Sequence, residues 1–145
     1  MSRLRITRDL FRETLRLNPL VPMMVGENQR PEIFRKRCIR PGAQFVLSPW
    51  HLQRHTRLWD NPDGFGPGRR QTPRGKDSGR EAYMLFSKGT RVCPGTGFCD
   101  VGRGLMLAQT QRDYKIEPTD RSEPIPVAHL TVRARDGIWL RNVRR

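Results

Sequence analysis

Ten consecutive residues, Phe86-Ser87-Lys88-Gly89-Thr90-Arg91-Val92-Cys93-Pro94-Gly95, hold the densest chemistry in the chain. A single thiol, Cys93, follows a loop that is broken by glycine and carries a fixed positive charge at Arg91. Gly95 opens an amphipathic stretch that predicts a helix, which places Cys93 near a helix N-terminus. The positive end of the helix dipole and the nearby guanidinium both favour thiolate over thiol. A thiolate held this way is a nucleophile or a metal ligand. Gly89 and Gly95 allow backbone geometry that a Cβ would block, so peptide N–H groups can point at the sulfur. Phe86 offers an apolar lid, and Arg91 is placed to bind a carboxylate. The loop holds no histidine, so a base for an attacking sulfur would have to come from elsewhere. A large anionic ligand with a metal centre suits the loop better, the metal on Cys93 and a ligand carboxylate on Arg91.

The pattern F-x-x-G-x-R-x-C-x-G is met at all five fixed positions, by Phe86, Gly89, Arg91, Cys93 and Gly95. It resembles the haem-ligand loop of the haem-thiolate monooxygenases, the cytochrome P-450 superfamily. Glu13-Thr14-Leu15-Arg16 matches that family's E-x-x-R on its K helix. Between the two, Trp59-Asp60-Asn61-Pro62-Asp63-Gly64-Phe65-Gly66-Pro67-Gly68-Arg69 is similar to its meander, W-x-x-P-x-x-F-x-P-x-R. The three motifs stand in the family's order, and the resemblance runs from the K helix to the C-terminus.

The resemblance, to the soluble bacterial type, implies an α+β, mainly α fold. Residues 1–145 would be the C-terminal, proximal-haem fragment of a single P-450 domain: K helix, β-hairpin, meander, cysteine-ligand loop, L helix and C-terminal β-hairpin. It implies haem b as cofactor, with Cys93 as the axial ligand of the iron and Arg91 on a propionate. Phe86, Gly89 and Gly95 would complete the cofactor-binding shell. Glu13, Arg16 and Arg69 would form a buried scaffold with no part in the chemistry. The implied reaction inserts one oxygen atom into a small organic substrate, with electrons from NAD(P)H through a ferredoxin- or flavodoxin-type donor. No catalytic residue is implied in this chain, because the family's distal helix, with its proton-delivering pair, would precede it. The isolated chain is therefore expected to be inactive, a remnant or a split half that needs a separate N-terminal half. Residues 21–24, with Met23 and Met24, would lie near the substrate channel. Five positions depart from the family's usual residues: Gly26 for a propionate-binding arginine, Gln53 for a histidine, Lys36 for a turn glycine, Thr90 for a proline and Gly102 for a glutamate.

Composition sets the outer bounds. The chain has 145 residues, enough for one domain with a modest core. Its 28 lysines and arginines outnumber 14 acidic residues, giving a formal net charge of +14. That balance suits an electropositive face for an acidic redox protein. Nucleic acid is the other anionic class, but no motif supports it. Three cysteines, Cys38, Cys93 and Cys99, form no C-x-x-C and argue for a reducing, cytoplasmic setting rather than a disulfide framework. No apolar run is long enough to span a membrane, and Met1 to Arg5 lack a signal core. His51 and His55 have a zinc-compatible spacing, yet their polar, Pro49-led surroundings read as a surface turn.

The elements that must position the motifs follow from periodicity. Residues 4–17 read as a helix with Leu4, Phe11 and Leu15 on one face, stopped by Asn18-Pro19. Residues 33–48 read as a hairpin about a type II turn at Pro41-Gly42. Residues 49–82 read as ordered coil around the meander, then a flexible stretch over 71–80. A second helix is expected from Gly95 to about Arg112, with Phe98, Val101, Leu105 and Ala108 on one face. Residues 129–143 read as a hairpin about Asp136-Gly137.

Overall fold

A computed structural model describes residues 4–121 and 123–145. The reading of Met1 to Arg3 lies outside the described residues. Four helices carry the frame: α1 (Arg5–Leu17), α2 (Pro49–Leu52), α3 (Pro73–Ala82) and α4 (Thr96–Asp113). Among the described residues eight short strands pair into four antiparallel two-stranded ribbons. The first joins β1 (Met24–Glu27) to β4 (Gln44–Leu47), and the second joins β2 (Glu32–Phe34) to β3 (Arg37–Ile39). The third joins β5 (Tyr114–Pro118) to β8 (Leu140–Arg144), and the fourth joins β6 (Pro126–Ala128) to β7 (Val132–Ala134). The mixture of helices and short ribbons agrees with the expected α+β class. No described helix is long and apolar enough to cross a membrane.

Helix α1 forms where its periodicity places it, but it buries a different face. Asp9, Glu13, Leu15 and Arg16 are its buried residues, so the stripe at 9, 13 and 16 is charged rather than apolar. Phe11 and Leu4 stay half-buried. The cause lies across the helix: the coil packed against it presents the Gln53, Pro62 and Gly64 carbonyls, and the fixed fork of the Arg16 guanidinium satisfies all three while still pairing with Glu13. Trp59, 1% exposed, fills the rest of this small core with Leu15 and Ala82. Its indole N–H donates to the Leu52 carbonyl (3.2 Å), and the Arg16 guanidinium lies 5.4 Å from its ring centroid. Gln53 is also buried, donating through Nε2 to the Ala82 carbonyl (2.6 Å), which ties the end of α2 to the end of α3.

Two expected hairpins are replaced by longer-range pairings. The turn at Pro41-Gly42 exists, with Gly42 at φ +81°, but β3 and β4 do not pair with each other. The tight two-residue turn is instead Arg35-Lys36, both at positive φ (49° and 64°), closing β2 onto β3. β4 pairs back to β1, with Phe45 opposite Gly26. The Phe45 ring lies so close that a Cβ on Gly26 would sit 2.2 Å from its Cζ, so no side chain fits at position 26 while Phe45 stands there. Asp136-Gly137 likewise makes a turn, with Gly137 at φ +79°, but β7 and β8 diverge into separate ribbons. β8 pairs with β5 over five residues, from Tyr114 opposite Arg144 to Pro118 opposite Leu140.

The stretch 71–80, expected to be flexible, is mostly helix α3. Thr72 caps it by accepting from the Gly75 N–H (3.0 Å), and Pro73 stands at the first helical position. Gly75 is required by packing: a Cβ there would lie 1.9 Å from the Arg69 carbonyl oxygen. At its other end, Lys88 Nζ donates to the Arg80 and Glu81 carbonyls (2.7 and 3.0 Å), satisfying orphan acceptors of the last turn. That contact also moors the cysteine loop to α3.

Candidate functional site

Glu13, Arg16 and Arg69 meet in one buried network. The two residues on α1 are both 0% exposed. Arg16 Nη2 and Nε donate to the Glu13 carboxylate (2.9 and 3.0 Å). Its remaining N–H groups reach the Gln53, Pro62 and Gly64 carbonyls at 2.7, 2.6 and 3.0 Å. Glu13 Oε1 also accepts from the Gly66 N–H (3.0 Å) and from Arg69 Nε (3.1 Å). Arg69 then holds the Asn61 and Gly64 carbonyls at 3.0 Å and reaches the Asp60 carbonyl. One carboxylate and two guanidiniums thus fix the path of residues 53–69 onto α1. Burial alone would raise the Glu13 pKa; the hydrogen bonds from Arg16, Gly66 and Arg69 outweigh it and hold the carboxyl below its usual value.

The cysteine loop is shaped by its own backbone. Residues Gly89–Arg91 make one 3-10 turn, entered through Ser87 at φ +63° and Gly89 at φ +73°. Cys93 N–H donates back to the Phe86 carbonyl (2.8 Å), which closes the loop. The Cys93 carbonyl accepts from Thr96 Oγ1 (2.8 Å), which pins the entry to α4. Positive φ makes glycine the natural residue at position 89. Gly95 differs from the expectation: its φ is −76°, ordinary helical backbone, so its role is space. A Cβ there would lie 3.5 Å from the Cys93 sulfur and cover one side of it. The peptide N–H groups expected at the sulfur are also not seen among the described residues; the nearby donors are spent on closing the turn.

Cys93 is exposed and opens into a cleft of about 240 Å³. Leu15, Leu20, Val21, Met24, Leu85 and Phe86 give the cleft apolar walls, and Arg91 and Arg103 add two cations. The structure thus brings Phe86, Arg91 and Cys93 to one cavity with residues of α1, the post-α1 segment and α4. Val21 and Met24 reach the same cleft, whereas Met23 lines a neighbouring one with Pro22, Trp50 and Val127. Arg103 and Leu85 were not singled out from the sequence. Arg103 stands ten residues beyond Cys93 on α4, and helical spacing from Cys99 was the available signal. An ion pair from Arg12 to Asp100 (2.5 Å) and the Arg103 guanidinium over the Phe11 ring (5.4 Å) hold α4 to α1, and so hold the sulfur over the cleft.

The donor set limits what could bind here. Among the described residues no group of three His, Cys, Asp or Glu side chains could hold a metal ion. Cys93 alone can retain only a metal that brings its other ligands with it, as a macrocycle does. Apolar walls suit such a ring, and Arg91 and Arg103 suit acidic substituents on its edge. The residues present therefore fit an iron porphyrin. His51 and His55 belong elsewhere, as Ser48 Oγ contacts His51 Nδ1 (2.8 Å) at the cap of α2.

This defines a class: proteins that present one cysteine to a metal carried by a planar organic ring. The comparisons narrow it. The family model for cytochrome P450 matches residues 1–140. Cytochrome P450 4A10 of Mus musculus is 30% identical over 143 residues, 97% of this chain and 27% of the relative. Cytochrome P450 4V2 of Homo sapiens is 30% identical over 147 residues, all of this chain and 28% of the relative. Taurochenodeoxycholic 6 alpha-hydroxylase of Sus scrofa is 29% identical over 146 residues, 28% of its length. Among solved structures, the cytochrome P450DA heme domain superposes on 96% of this chain and 31% of its own, with a TM-score of 0.85 and 26% identity. The chain belongs to the cytochrome P450 family. It spans about 27% of the length of the curated relatives it matches.

Proposed function

We propose that this chain is the thiolate-bearing part of a haem monooxygenase site. The carrying observation is that one exposed cysteine, closed into a loop by its own N–H bond to Phe86, opens on an apolar cleft edged by two arginines. Cys93 would hold the iron as thiolate, Arg91 and Arg103 would neutralise the propionates, and Phe86 would keep water from the sulfur. Haem b, when bound, supplies an iron that activates dioxygen, placing one oxygen atom in an organic substrate and releasing the other as water. A relative named as a hydroxylase supports this reaction type.

Oxygen insertion needs two electrons from NAD(P)H, and the net charge of +14 favours an acidic carrier of the ferredoxin or flavodoxin type. It also needs protein over the other face of the ring. Phe98 (82% exposed), Val101, Leu105 and Met106 on α4 present apolar surface suited to a further stretch of polypeptide. We therefore expect the 145 residues alone to bind haem but not to turn over substrate, with activity restored by a complementary N-terminal half.

Titration of the purified chain with hemin tests the reading. One equivalent should bind with a sulfur-to-iron charge-transfer band in the ferric spectrum. Cys93→Ser should remove that band, and Arg91→Gln should weaken binding while keeping it. Equal spectra for the chain and Cys93→Ser would overturn the assignment.

A further inference from the structure

A hollow of about 690 Å³ opens between α1 and α3. It shares no lining residue with the Cys93 cleft. Six cationic side chains line it, Arg5, Arg8, Arg12, Arg70, Lys76 and Arg80, against one carboxylate, Asp9. Three are already paired: Arg8 lies 3.5 Å from Asp9, Arg12 is 2.5 Å from Asp100, and Arg80 is 3.6 Å from Asp77. Arg5, Arg70 and Lys76 have no ion pair among the described residues. Three of the six positive charges in the hollow are therefore left without an ion-pair partner among the described residues.

Arg70 is the most telling of these. Its Nε and Nη2 are buried without a hydrogen-bond partner among the described residues. Buried donors without acceptors are costly, and native structures pair nearly all of them. The guanidinium is stacked 3.9 Å from the Tyr83 ring, which fixes its plane. Burial pushes Tyr83 up to about 12, so the ring stays neutral beneath it. Burial likewise pushes the Arg70 pKa down, the direction that a bound anion would reverse. On the facing helix, Gly79 leaves the wall bare: a Cβ there would lie 3.0 Å from Arg70 Nη1. The first turn of α1, which carries Arg5 and Arg8, has no acidic residue and no side-chain cap from Leu4, so the positive end of its dipole adds to the same field.

The shape selects among anions. The volume is that of a small-molecule site, and the cations stand on opposing walls of a concavity, whereas a docked protein needs a broad face. No aromatic or aliphatic side chain lines the hollow, so nothing there would stack on a base or hold an apolar ring. Several cations spaced along a groove match a ligand with several adjacent charges. We infer that this hollow, between the start of α1 and helix α3, binds a linear phosphate chain, as found in inorganic polyphosphate or in the triphosphate of a nucleotide.

Calorimetric titration of the full chain at about 150 mM salt, where long-range attraction is screened, tests this. Inorganic tripolyphosphate and ATP should bind one to one with similar affinity, and orthophosphate roughly tenfold or more weakly. The similarity of the first two would mark the phosphate chain as the recognised group; a clear preference for ATP would overturn that, since no side chain lining the hollow could stack on the base. Arg70→Gln with Lys76→Gln should weaken tripolyphosphate roughly tenfold or more. Should that pair disturb the circular dichroism spectrum, Arg5→Gln with Lys76→Gln removes two exposed cations from the same hollow and should weaken it likewise. Arg141→Gln with Arg144→Gln removes equal charge from exposed β8 and should change nothing. Cys93→Ser should also leave binding intact, which separates this site from the haem reading. Equal losses in the β8 variant, or orthophosphate and an oligoglutamate peptide binding as well as tripolyphosphate, would overturn the proposal.

Discussion

Glu13 has more depending on it than any other side chain described. Its carboxylate accepts from Arg16, Arg69 and the Gly66 N–H, and every one of these donors also fixes or belongs to the meander. Glu13→Gln keeps the size of the side chain but leaves a buried guanidinium without its counter-charge. Breaking a buried pair from one side costs about 3–5 kcal/mol, a large share of a small domain's stability. Urea unfolding should show that loss as a lower midpoint. The same carboxyl sets an acid limit. Its pKa is held below the ordinary value of 4.5, so the unfolded chain takes up the proton first as pH falls. Its contribution is full above about pH 4.5 and is lost as pH falls through the folded value. The urea midpoint should therefore drop on acidification below that point, and drop less in Glu13→Gln. The motif that marked Glu13 and Arg16 was legible because i, i+3 spacing is local. The backbone groups they satisfy, the Gln53, Pro62 and Gly64 carbonyls for Arg16 and the Gly66 N–H for Glu13, lie far along the chain and could not be read from spacing.

At the scale of elements, two glycine-related positions make opposite predictions. Gly75 is in contact with the Arg69 carbonyl, so Gly75→Ala must push α3 away from the turn that carries Arg69. The gain in helix propensity, about 1 kcal/mol, is outweighed by overpacking of about 1–3 kcal/mol. Thermal unfolding should occur at lower temperature. Lys36 is the reverse case, a bulky residue at φ +64° in a two-residue turn. Lys36→Gly removes a left-handed penalty of about 1–2 kcal/mol and should raise the unfolding temperature. Helices α1 and α4 were readable because the spacing of their apolar residues and their end signals, Asn18-Pro19 after α1 and Gly95 before α4, are local. Helix α3 was not, since two glycines and a proline argue against a helix until Thr72 is recognised as the cap and Arg69 as the reason for Gly75. Ribbons were half-legible: Pro41-Gly42 and Asp136-Gly137 do turn, but a turn signal says nothing about which strand then pairs. Pro118 and Pro126 also disguised β5 and β6, because proline reads against a strand.

For the whole molecule, the same sequence yields a small polar core and a wide apolar surface. Among the described residues three hydrophobic side chains form the buried core, Leu15, Trp59 and Ala82, while Phe98, Leu130, Ile33 and Met106 stand largely exposed. Helix α4 illustrates the split: its predicted apolar face is present but faces outward at Phe98 and Leu105. Such a surface should bind a hydrophobic dye and promote self-association, and a matching N-terminal half should suppress both. Light scattering and dye fluorescence with and without that half would register the change. The cysteine motif, by contrast, was recognisable from residue types alone; the structure brings Phe86, Arg91 and Cys93 to one cleft, and differs from expectation at Gly95 and at the peptide N–H groups.

The central claim is that the Cys93 sulfur can ligate porphyrin iron from the cleft below it. The absorption spectrum of the hemin-loaded chain, reduced and saturated with carbon monoxide, tests this most directly. A thiolate ligand shifts the Soret band to distinctly longer wavelength than a nitrogen ligand does, and the account expects that shift in the chain and its loss in Cys93→Ser. A band at the short-wavelength position in both proteins would contradict it.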